Sequence, residues 1–182
     1  MSALSHPLVI AADRFAAGIH ASSGRMRQYT DASFINHSRA VAHLMSRFTR
    51  DPELVGAAVL HATCDGPGET LDMIQREFGD RVAHLVQEAA SEGTALSGAS
   101  EGAKSIRLAA MLGDVDGFIA HEPRAARKYL EGKSALLPHL VGGNATLHSV
   151  ARKVVLGAIG RVSETHAKAA QAPPARPFGG RA

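Results

Sequence analysis

His37, His61 and Asp114 are the side chains of this sequence whose types and positions could act together. Two imidazoles and a carboxylate make a donor set suited to a divalent ion of intermediate softness. The pattern around them places His37 at the start of one helix and His61 near the end of another. Asp114 falls where glycines interrupt a helical pattern. Each also has an ordinary reading: a histidine at a helix start is commonly a surface residue, and an aspartate between glycines commonly a turn. Of the ten histidines, His6, His139, His148 and His166 have no acidic or histidine neighbour at useful spacing. No Gly-rich phosphate loop with a following Lys-Ser/Thr occurs, nor a G-x-S-x-G elbow, nor an H-E-x-x-H pair. Cys64 is the single cysteine. No His or Lys stands at i±4 to activate it, so a packed thiol is expected rather than a nucleophile. Asp116 is expected to be a solvated turn carboxylate, the alternative being a substitute ligand turned inward by its flanking glycines.

The elements that must carry these groups read as helices. Residues 7–21 set Val9, Ile10, Ala12, Phe15, Ala16 and Ile19 at helical spacing, with His20 near the end. Residues 22–33 form a polar loop. Residues 34–48 place Val41, Leu44, Met45 and Phe48 on one stripe. Asp51 as N-cap and Pro52 at the first helical position start a third helix, which the pattern carries to near Asp65 and a Gly-Pro-Gly sequence. Thr70 can cap residues 71–78 and Gly79 can end them. Asp80 can cap residues 81–90, with Val82, Leu85, Val86 and Ala89 inward. Residues 91–102 are small and Gly/Ser-rich, so a mobile loop is expected. A helical pattern resumes over 103–122, weakened by Gly113 and Gly117. Two short helices, at 124–130 and 135–141, and a long one from residue 145 complete the chain. With no convincing strand and no internal repeat, the expected class is all-α: a single helical-bundle domain over 1–171 and a disordered Pro/Gly-rich tail over 172–182.

Composition narrows the function classes. The 182 residues are 45% hydrophobic but only 4% aromatic, with no Trp, which suits closely packed helices. A net charge of +3 with no basic run admits an anionic ligand and does not announce a nucleic-acid binder. The N-terminus lacks the charged start and apolar stretch of a signal peptide, and no apolar run approaches the roughly 20 residues that span a bilayer. A lone cysteine points to a reducing compartment. A soluble, cytoplasmic protein is expected.

The segment FINHSRAVAHLM resembles the aromatic-Ile-x-His-Pro segment of RelA/SpoT-type hydrolase domains, members of the HD superfamily shared with small alarmone hydrolases. The segment AAVLHATCDGPGETLDMIQREFGDRVAHLVQEA resembles their central part. There an apolar helix ends in His-Asp, two apolar residues and Glu-Asp follow, and a Thr-x-x-x-Ile helix runs into Phe-Gly. IRLAAMLGDVDGF lies where that family has an apolar run into Leu-Ala-Asp, and ADRFAAGIHA resembles its opening helix. The likeness extends over residues 7–140 and implies an HD-type helical bundle.

It also implies a chemistry. In that family a divalent ion, usually manganese, is held by the first His, the His-Asp pair and a later Asp, and the substrate is guanosine tetraphosphate (ppGpp) or a related nucleotide. The resemblance makes His37, His61 and Asp114 the metal ligands. It makes Asp65 the residue that orients the attacking water, and Arg25 and Arg27 the phosphate contacts. The departures cluster at the reacting centre. Ala62 replaces the aspartate of the pair, Gly66 the second water-orienting acid, Phe118 a later asparagine, and Ser38 the proline. Three readings follow. The first is a Mn-dependent nucleotide pyrophosphohydrolase with an eroded motif. The second is a catalytically silent relative that binds a nucleotide or a protein partner in the same cleft. The third is a helical scaffold with no ligand there. Kinship of fold does not choose among them. The expected partner is a nucleotide or other phosphate ester, with no membrane, no nucleic acid, and a homo-oligomer as an open possibility.

Overall fold

The computed structural model describes residues 2–22, 34–64, 69–121 and 124–171. Among them the chain is helical, with no strand, as expected. The α-helices are α1 (Pro7–Ser22), α2 (Ile35–Met45), α3 (Pro52–Leu60), α4 (Glu69–Phe78), α5 (Asp80–Ala90), α6 (Glu101–His121), α7 (Ala126–Leu136) and α8 (Ala145–Gln171). No helix among the described residues is long and apolar enough to cross a membrane.

α3 is the centre of the packing. Asp51 starts it as expected, its carboxylate accepting from the backbone N–H groups of Glu53 and Leu54 at 3.0 and 3.4 Å, with Pro52 following. From residue 55 to residue 60 every position is buried, so this helix has no face for water and must be surrounded. α1, α2 and α5 surround it. α1 approaches closely: a Cβ at Gly56 would lie 2.5 Å from Leu8 Cδ2, so a larger residue there would require the Leu8 side chain to shift. Ala12 and Ala16 on α1, Ala42 on α2 and Ala57 and Ala58 on α3 are all buried. Small side chains at these crossings explain how an aromatic-poor chain fills its core. Arg81 on α5 ties the start of α3 to its neighbour by pairing with Asp51 and Glu53.

α6 bridges to the second half. It packs on α2 and α5 on one side and on α8 on the other, while α7 packs on α8. α4 and α5 meet at Gly79, whose φ of 89° is left-handed and favours glycine. Gly79 thus ends α4 as expected but also serves as N-cap of α5, with Asp80 inside the helix rather than capping it.

Further expectations change in the structure: Thr70 lies inside α4 rather than capping it, and one helix, α7, runs Ala126–Leu136 in place of two short ones. α3 stops at Leu60, short of Asp65, and His61 is its C-cap. α6 runs unbroken through Gly113 and Gly117. Each glycine costs roughly 1 kcal/mol of helix propensity, and burial of Val115 and Phe118 outweighs it. The segment expected to be a mobile loop contains a 3-10 helix, Gly93–Gly98, with Leu96 fully buried. The Lys104 ammonium donates to the Ser97 carbonyl at 2.9 Å, and the Ser100 N–H donates to the Glu88 carboxylate at 3.1 Å. The segment is held by Leu96 and these hydrogen bonds, while most of its small residues are exposed. The tail, 172–182, lies outside the described residues.

If that segment is held as described, Leu96→Ala lowers stability by about 2–4 kcal/mol through lost burial and an unfilled cavity. Urea denaturation measures it, and a change near zero would return the segment to a surface loop.

Candidate functional site

His37 lies in the first turn of α2 and His61 at the end of α3, and the packing of both helices turns these rings toward each other. The ring centroids are 5.4 Å apart. Asp114 reaches them from α6, with Oδ1 3.2 Å from His37 Nδ1. The structure therefore brings together the three residues that the sequence singles out. They line a cavity of about 160 Å³ together with Ala62, Ala110, Arg107 and Lys133. The edge of Phe34 packs on His37, with centroids 5.6 Å apart. Asp65, Arg25 and Arg27 lie outside the described residues.

The protonation of His61 follows from its partners. Its Nδ1 is 2.8 Å from the Ala58 carbonyl. A carbonyl oxygen only accepts, so Nδ1 carries the hydrogen. Burial, helped by the neighbouring His37, pushes the pKa down from the ordinary 6.5 to about 4. The ring is neutral at pH 7, which leaves its Nε2 with a lone pair. A backbone-anchored Nδ1–H is the usual way a fold orients an imidazole for use through its other nitrogen.

Asp114 has a second neighbour that sequence reasoning missed. Lys133, on α7, places Nζ 3.9 Å from Asp114 Oδ2 and 5.0 Å from the centre of the Tyr129 ring. Burial holds the Lys133 pKa below its ordinary value, with Asp114 opposing and Arg107 adding to the shift. Tyr129 in turn stacks on Phe118, at 3.8 Å between centroids and 6° between planes. Arg107, Lys133 and Leu136 also line a larger cleft of about 560 Å³ beside the first, together with Phe118, Lys128 and Tyr129. Lys133 is separated from the histidines by a long stretch of sequence, and the packing of α7 against α6 and α8 brings it in. Ala110 was missed for a different reason: an alanine sends no chemical signal. It sits one turn before Asp114 on α6 and, like Ala62, lines the cavity with no donor atom to offer.

These donors match a divalent ion in kind but not in arrangement. Among the described residues, no three His, Cys, Asp or Glu side chains are grouped so as to hold a metal ion. The Asp114 carboxylate is engaged by His37 and Lys133, and Ala62 and Ala110 supply nothing. Cys64 is half-buried against the core, as a packing thiol should be. The Asp116 backbone lies within α6 rather than in a turn.

A family profile described as "HD domain" matches residues 12–115, more than half of the chain, and spans α1 through most of α6 with His37, His61 and Asp114. The chain belongs to the HD domain family. Over 53 residues, 29% of its length, it is 42% identical to a protein of Mycobacterium leprae named as a probable GTP pyrophosphokinase, of which it spans 7%. Its fold is that of a solved structure of a metazoan SpoT ortholog, described as hydrolysing ppGpp and acting in starvation responses. The TM-score is 0.68 at 19% identity, covering 88% of this chain and 96% of that one.

The His61 environment sets a pH dependence. The folded pKa is depressed and the unfolded chain keeps about 6.5, so the stabilisation is complete above 6.5 and is lost as pH falls from there toward 4. The full effect is about 3 kcal/mol. His61→Gln should flatten the loss of stability between pH 7 and pH 4.5 in denaturant titrations with EDTA present. Equal losses in both proteins would show that His61 is not held neutral by the fold.

Proposed function

We propose that this HD domain binds a phosphorylated nucleotide of the ppGpp type in the cleft beside His37 and His61 and has lost efficient hydrolysis of it. The observation that carries this reading is Ala62, which stands where the resemblance puts the aspartate of the His-Asp pair and lines the same cavity as His37, His61 and Asp114. The framework that would orient a ligand remains, and at Ala62 a methyl group stands where the resemblance puts a carboxylate for the ion. The ppGpp hydrolysis described for the metazoan structure and the resemblance in the central segment support the choice of nucleotide.

If an ion binds, the resemblance implies manganese, with His37, His61 and Asp114 as donors, and Asp114 would first have to leave Lys133. Asp65 remains the proposed residue for orienting water, and Arg25 and Arg27 the proposed phosphate contacts. Loss of general acid–base assistance alone slows such reactions by about 10²–10⁴-fold. The lone Cys64 accords with a reducing cytoplasm as the working compartment. A second reading, the helical scaffold with an empty cleft, is less well supported. Two adjoining cavities of about 160 and 560 Å³ share basic walls, and the larger has the size of a small-molecule site.

Incubation with guanosine tetraphosphate and millimolar Mn should release little or no pyrophosphate, whereas calorimetry should detect binding. Turnover by the natural sequence on the order of 1 s⁻¹ or faster, ordinary for an enzyme, would remove the silent-relative reading. Carboxylates placed at this cavity should bring back an affinity for Mn. Ala62→Asp combined with Ala110→Asp gives the cavity two further carboxylates, so Mn should raise the melting temperature of this variant and leave that of the natural sequence unchanged. Without metal the variant should be less stable, because buried, unpaired carboxylates are costly. No Mn-dependent shift in the variant would mean that these positions do not surround a common point.

A further inference from the structure

Arg107 is where the two cavities meet, and no carboxylate among the described residues pairs with it. Arg107 is half-buried on α6, and Lys133 lines both cavities with it. Asp114 is the acid of the described inner wall, set against Arg107 and Lys133. Glu92 and Lys128, both exposed, add one charge of each sign to the outer cleft. Among the described residues the lining thus carries more positive than negative charge, and such an excess in a partly dry pocket is unfavourable until an anion neutralises it. Lys133 lies between Asp114 on one side and the face of Tyr129 on the other.

We propose that the cleft binds the pyrophosphate group of its ligand through Arg107 and Lys133 without a metal ion, the Lys133 ammonium supplying the positive charge that a divalent cation would otherwise bring. This rests on the nucleotide reading above for the identity of the ligand, and adds how its charge is met. The two volumes fit the division: the inner cavity of about 160 Å³ suits a phosphate group, and the outer cleft of about 560 Å³ the rest of a nucleotide. Arg107 can offer two parallel N–H donors to phosphate oxygens and Lys133 a point charge. Asp114 then acts as a positioning residue. It holds Lys133 in place but competes with the incoming anion for the same ammonium.

That competition gives a test with a sign. Calorimetric titrations of the full chain at low salt would use inorganic pyrophosphate and guanosine tetraphosphate, each in EDTA and then in millimolar Mn. Both ligands should bind in EDTA. Lys133→Ala and Arg107→Ala should each weaken binding by roughly tenfold or more, the usual effect of removing a charged hydrogen-bond partner. Lys133→Arg should keep binding in EDTA, which separates a lost charge from a damaged fold. Asp114→Asn should tighten binding, because the competing carboxylate is gone. A ligand held through a metal requires the opposite, since Asp114→Asn removes a donor. Binding that vanishes in EDTA, or that weakens in Asp114→Asn, overturns the metal-free arrangement and leaves the nucleotide reading standing. Binding of pyrophosphate but not of the nucleotide supports the arrangement and overturns the nucleotide. No binding of either ligand in either condition overturns both.

Discussion

From residue 55 to residue 60, α3 has no residue facing water, and the rest of the molecule is arranged around that constraint. A helix this apolar is stable only when it is enclosed, so α1, α2 and α5 must close on it. Gly56 and the buried alanines allow close approach. Enclosure has a second consequence. The residue at the end of such a helix is delivered into the interior whatever its polarity. His61 is that residue, and it is buried, neutral, and anchored to the Ala58 carbonyl of the helix that carries it. The site is thus a by-product of the core: its least natural core member is placed by the most hydrophobic element.

Around His61 the electrostatics are those of a shared carboxylate. Asp114 serves His37 through one oxygen and faces Lys133 through the other. In a metal-bearing site of this composition, carboxylates would converge on the ion and lysines would be repelled. Here a lysine, an arginine and two methyl groups line the same space as Asp114. Among the described residues this lining carries more positive than negative charge. Membership of the HD domain family says how the helices are arranged, and the side chains of this chain decide what the arrangement can hold.

Phe118 illustrates the change of character. The resemblance puts an asparagine at this position. The phenyl ring instead stacks on Tyr129, which in turn supports Lys133. An aromatic ring thus stands where the resemblance puts a polar side chain, and it stacks on the ring that Lys133 lies over, on a helix that no local pattern links to it.

The helical class, the start of α3 at Asp51-Pro52, the end of α4 at Gly79 and the inward stripe of α5 were legible in the sequence. They depend on local causes: hydrophobic period, a capping carboxylate, a left-handed glycine. The pairing of His37, His61 and Asp114 was legible through a likeness of spacing. What the sequence could not show was the competition between local and tertiary terms. Gly113 and Gly117 weaken a helix in isolation, yet α6 runs through them because its buried residues outweigh the local cost. The small residues of 93–98 suggest mobility, yet Leu96 is sealed in the core and Lys104 ties the backbone down. Lys133, Arg107 and Ala110 carry no motif at all. Only the folding of α6 and α7 about the same cavity gives them a common role, because an electrostatic environment depends on distances in space, which sequence spacing does not encode.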